Sequence, residues 1–97
     1  METWQYGYMY VCGAVPTGAT LFDGPTAEWA FIQTAAGRTS EQFDGFLVVM
    51  DRLGADGWIV SAEVASGLPG WAKAELGEQG LRTSGSAWRY DMRRRVV

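Results

Sequence analysis

The chain has 97 residues, a mass of 10.6 kDa, 47% hydrophobic and 20% charged residues and a net charge of −3, which describes one small domain with no room for two. His is absent and Cys12 is the only cysteine. Those counts exclude an internal disulfide, every CxxC zinc or redox motif, Ser-His-Asp and Cys-His catalysis and the usual imidazole metal sites.

Charge is spread unevenly. Residues 1–37 carry three acids and no bases, whereas 82–97 carry five bases and one acid. The run Arg93-Arg94-Arg95 has the composition of a phosphate contact, but a pI near 4.7 argues against a nucleic-acid binder as the leading reading. No apolar stretch reaches the ~18 residues of a membrane span, and the start, Met1-Glu2-Thr3-Trp4, lacks the charged and apolar regions of a signal peptide. The expectation is a cytoplasmic protein that makes no membrane contact.

In chain order, Trp4, Tyr6, Tyr8, Tyr10, Cys12 and Ala14 alternate with Gln5, Gly7 and Met9, the period-two pattern of a strand with a heavy aromatic face. Val15-Pro16-Thr17-Gly18 ends it. Residues 27–34 read as a second strand, since Trp29, Phe31 and Gln33 alternate and Ala36-Gly37-Arg38 supplies a turn. The clearest helix is expected from about Ser40 to Ala55. Thr39-Ser40-Glu41-Gln42 offers a capping box, and Phe43, Phe46, Leu47, Met50 and Leu53 follow helical spacing. Gly57 is the natural left-handed stop. Trp58 to Val64 follows as a strand with its even positions apolar, and Glu63 on the other side is a candidate partner for Arg89 or Arg93. A long connection, 66–85, holds a short helix near 69–78. The last strand, Ala87 to about Val96, places Trp88, Tyr90 and Met92 opposite Arg89, Asp91 and Arg93.

The expected architecture is therefore α+β: a small antiparallel sheet of three to four strands packed on one main helix, in the order strand-strand-helix-strand-strand, as a single domain over 1–97 with insertions at 16–39 and 66–85. A 16-residue helix about 24 Å long covers roughly half of one face of such a sheet. The uncovered aromatic surface then needs the 69–78 segment, a second subunit or a ligand against it.

The segment Leu53-Gly54-Ala55-Asp56-Gly57-Trp58-Ile59-Val60-Ser61 resembles the L-G-x-x-G-W-E-L-V-S core of a family of small bacterial and phage domains, domain of unknown function 4177. Trp4-Gln5-Tyr6 is similar to that family's W-E-Y first strand, and Trp88-Arg89-Tyr90-Asp91-Met92-Arg93-Arg94 to its closing Y-x-L-K-R strand. The resemblance spans about half of the chain, with Ile59 standing where the family has Glu. It implies a compact strand-helix-strand-strand unit and carries no established activity.

Nothing else supplies chemistry outright. The 13 glycines are scattered without a phosphate-loop pattern. Asp44 and Asp51 share the solvent side of the expected helix, and Cys12 lies in register with the aromatic face, where a buried thiol is inert. The leading reading is a small homo-oligomeric interaction or accessory protein, a dimer in the simplest case, whose aromatic sheet face makes the subunit contact. The alternative is a small-molecule binder or cofactor-independent enzyme, performing proton transfer or cyclisation in an aromatic pocket gated by 66–85. Interface or ligand candidates are Tyr6, Tyr8, Tyr10, Trp58, Trp88 and Tyr90. No metal site and no cofactor is expected.

Overall fold

The computed structural model describes residues 3–19 and 27–96. Residues 20–26, inside the first expected insertion, lie outside them. Five strands and two helices follow one another: β1 (Thr3–Pro16), β2 (Ala27–Thr34), β3 (Gly37–Phe43), α1 (Phe46–Ala55), β4 (Ile59–Ser66), α2 (Gly70–Glu78) and β5 (Leu81–Val96). All strands pair antiparallel in one sheet of order β3-β2-β1-β5-β4.

This corrects the expected fold class. The molecule is mostly antiparallel sheet with two short helices, not a small sheet packed on one main helix. The chief error lies at 39–45. Thr39, Ser40, Glu41 and Gln42 do not cap a helix; they pair with Ile32, Phe31, Ala30 and Trp29 as β3. A two-residue loop, Ala35-Ala36, folds 37–43 directly back on β2, and a ladder along seven residues outweighs a capping box worth about 1 kcal/mol. The helix starts only after Gly45, whose φ of 133° turns the chain out of the strand, and no side chain caps it. Its C-terminus follows expectation. The amide of Trp58 donates to the Leu53 carbonyl (3.0 Å) and that of Gly57 to Gly54 (2.9 Å), with Gly57 at φ 88°, the Schellman arrangement that glycine permits.

The second correction concerns 66–85. The short helix within it is real, but the last strand begins at Leu81 rather than Ala87, because Leu81 to Ser84 continue the ladder against Pro16 to Gly13. Gly85, the expected end of the connection, and Ser86 sit where the β1–β5 register shifts opposite Cys12, with Gly85 at φ 78°. Such a bulge interrupts pairing without ending the strand.

Alternation along β1 sends Met9 and Val11 to one face and Tyr10, Cys12 and Ala14 to the other. Each face has its own helix. Val49 and Leu53 of α1 pack with Met9, Ala30 and Met92. Ala72 and Leu76 of α2 pack with Cys12, Ala14, Phe31 and Ala87. The longer helix therefore does not lie on the aromatic face, which receives only α2, about 13 Å long at 1.5 Å per residue, against a 14-residue strand.

Candidate functional site

Opposed residues of an antiparallel pair point to the same side, so the register defines what surrounds the tyrosines. One row crosses the α2 face as Ile59, Arg93 and Tyr6; the next as Ser61, Asp91, Tyr8, Gln33 and Arg38; the third as Val64, Arg89, Tyr10, Phe31 and Ser40. Trp4 and Arg95 form a short outer row. From Tyr10 onward the face is closed by α2 and by Trp71, whose ring meets Phe31 edge-on at 5.8 Å. Before Tyr10 it is bare: Tyr6 is 67% exposed, Tyr8 46% and Ile59 47%.

The arginines there stack on the rings. The Arg93 guanidinium carbon lies 5.1 Å from the Trp4 ring centre and that of Arg89 lies 5.4 Å from Tyr8; Arg38 sits 5.3 Å from Trp71 at the border with α2. Such contacts hold each cation against a π-face. Arg89 Nε is also 3.6 Å from Asp91 Oδ1. Tyr8 and Tyr10 have ring centres 6.5 Å apart and tilted by 46°. Tyr6, Gly7, Tyr8, Ser61, Asp91, Met92 and Arg93 line an open hollow of about 380 Å³.

The sequence-predicted candidates divide between the two faces. Tyr6, Tyr8 and Tyr10 share the α2 face, whereas Trp58, Trp88 and Tyr90 belong to the α1 face. The sheet separates the two groups, so a single pocket walled by Tyr6, Tyr8, Trp58, Trp88 and Tyr90 does not form. On the α1 face, Trp58 is covered by Arg94, whose guanidinium carbon is 4.6 Å from its ring centre. The Nε of Arg94 donates to Gln5 Oε1 at 2.7 Å. Tyr90 packs on Phe46 at 5.3 Å; burial, together with the Glu63 carboxylate that accepts from its hydroxyl, pushes the phenol up. Glu63 thus meets Tyr90 rather than Arg89 or Arg93, because the register of β4 shifts between Ser61 and Val64. Trp88 remains 41% exposed.

Arg38, Arg89 and Arg93 were not among the sequence candidates, although they complete the aromatic surface. The signal for Arg89 and Arg93 was the odd-numbered alternation of 89–93, which becomes meaningful only once β5 is known to lie beside β1; Arg38 reaches the face through the pairing of β3 with β2. Cys12 is buried under α2, and burial raises its thiol to about 11, which keeps it protonated and unreactive at neutral pH. Among the described residues, no three His, Cys, Asp or Glu side chains gather as a metal site, and no helix is long and apolar enough to cross a membrane. The arrangement can stack planar rings and neutralise anions. No family model, no curated protein and no solved structure matches this chain.

Proposed function

We propose that this chain is a small homo-oligomeric interaction or accessory protein that uses the two sides of its sheet for two different contacts. The observation that carries the reading is the segregation of exposed apolar residues. On the α2 face, Tyr6, Tyr8 and Ile59 stand among the arginines of β5; on the α1 side, Leu47 at 75% and Val48 at 68% are exposed on α1, whose one arginine, Arg52, is paired with Glu41, and Trp88 is 41% exposed. A two-fold contact brings each patch against its own copy. Arginine rows facing themselves repel, so the aromatic face serves better as the surface for another partner, and the outer side of α1 as the contact between subunits.

Sedimentation velocity tests this directly. The wild-type chain should run as a dimer, Leu47→Glu with Val48→Glu should run as a monomer, and Tyr6→Ser with Tyr8→Ser should keep the dimer mass. A monomeric wild type would remove the homo-oligomer, and dissociation by the tyrosine pair alone would move the subunit contact to the aromatic face.

A second reading has its own support. The hollow of about 380 Å³ beside Tyr6, Tyr8 and Asp91 falls within the size range of small-molecule sites, and a planar ligand would stack there. Equilibrium dialysis against aromatic acids, with Tyr8→Ser as the control, separates this reading from the first.

A further inference from the structure

We infer that the bare aromatic–arginine half of the α2 face is a docking surface for single-stranded nucleic acid. The inference rests on reading that face as a contact surface and names its partner.

Three observations point to this occupant. The first is charge. The eight basic residues of this acidic chain are not spread evenly: Arg38, Arg89 and Arg93 all fall in the cross-strand rows of one face, and among the described strand residues Asp91 is the single acid in those rows. An overall charge of −3 conceals this local sign, and local sign decides what approaches a surface. The partner it selects is anionic.

The second is the combination with rings. Trp4, Tyr6 and Tyr8 follow one another along a single strand face, and Arg93 and Arg89 stack on the first and third of them. Alternating π-surfaces and cations suit a ligand that alternates planar bases with phosphates. An acidic peptide satisfies the cations but leaves the rings without partners.

The third is spacing, which separates single strands from duplexes. Successive rings on one face of a strand stand about 6.7 Å apart, and the Tyr8 and Tyr10 ring centres are 6.5 Å apart. Bases in a duplex repeat every ~3.4 Å along each strand. A base on each ring requires a nucleic acid with its bases pulled apart, which a single strand permits and a duplex does not. This half of the face is open to such a partner, since α1 lies on the other side and Tyr6 is 67% exposed.

Fluorescence anisotropy with labelled ten-nucleotide oligothymidylate and oligouridylate, a duplex of equal length and polyglutamate as competitor tests the inference on the full chain. Both single strands should bind with micromolar affinity at low salt. The logarithm of the binding constant should fall against log salt with a slope of about −2, as for about three phosphates. Tyr6→Ser with Tyr8→Ser should weaken binding by about tenfold or more, with the melting temperature held. Arg93→Gln should make the slope shallower by about 0.7. If the tyrosine variant does not fold, the Arg93→Gln slope decides. Absence of binding, equal affinity for the duplex, or an unchanged slope in Arg93→Gln would overturn the inference. Polyglutamate binding that needs the two tyrosines would also overturn it while leaving the contact-surface reading intact, and indifference of every anionic probe to those tyrosines would remove both.

Discussion

The two halves of the α2 face are built on the same strands yet behave as different materials. Toward the C-terminal end of β1 the alternating residues are small, Cys12 and Ala14, with Ala87 near them on β5, and α2 lies down on this flat floor with Phe31 as its hub. Toward the N-terminal end they are Tyr8, Tyr6 and Trp4, opposed by Asp91, Arg93 and Arg95. No helix seats there, because burying several hydroxyls and guanidinium groups without partners costs more than the rings return. Side-chain size and polarity along one strand thus separate a structural half from a half available for recognition.

The comparison is broken most severely at its structural end. Phe31 is fully buried and touches Trp29 and Trp71, so Phe31→Ala should cost about 3–5 kcal/mol and lower the melting temperature by more than ~10 °C, read by circular dichroism. The Tyr6 and Tyr8 substitutions, on exposed positions, should shift it by only a few degrees. If Phe31→Ala and the tyrosine variants melted alike, the division into halves would be wrong.

A smaller effect sharpens the same contrast through pH. Cys12 is held protonated by burial, ionising at about 11 in the folded chain against 9.0 for the free thiol. The unfolded thiol therefore loses its proton first, so the stability associated with Cys12 is intact below pH 9, declines above it and is fully lost once the folded thiol titrates near pH 11. Urea titrations of wild type and Cys12→Ala over that range should show a steeper loss in wild type, and a thiol reagent should label Cys12 only on unfolding.

The smallest effect is expected away from either half. Glu41 on β3 accepts from both terminal nitrogens of Arg52 on α1, and this contact, with hydrogen bonding to Glu41 as the main cause, raises the Arg52 guanidinium further. Both partners are solvent-accessible, so Glu41→Ala should change stability by no more than ~0.5 kcal/mol. A loss of several kcal/mol in chemical denaturation would make the pair a structural clamp.

Much of the local structure is legible in the sequence. The alternation of 4–14 and of 27–34, the helical spacing from Phe46 to Leu53, the stop at Gly57 and the short helix near 69–78 all correspond to elements of the fold. The failures share one physical cause. Thr39 to Gln42 carry a helix capping box, and 81–85 read as connection, yet both lie where a neighbouring strand supplies a ladder, and nonlocal pairing overrides weak local preference. The candidate site divides in the same way. Tyr6, Tyr8 and Tyr10 are recognisable from β1 alone, whereas the separation of Trp58, Trp88 and Tyr90 from them depends on register.

By itself the sequence determines which chemistry is on hand: no imidazole, one inert thiol, a strand rich in rings and a basic C-terminal stretch. Only the tertiary structure decides which of these groups meet. Pairing β5 beside β1 places Arg89 and Arg93 against Tyr8 and Trp4, and the assignment of each helix to a face leaves one end of that surface open. Period-two alternation specifies two faces for every strand, but which face of one strand joins which face of another is set by the hydrogen-bonded register between residues far apart in the chain, such as Tyr6 and Arg93.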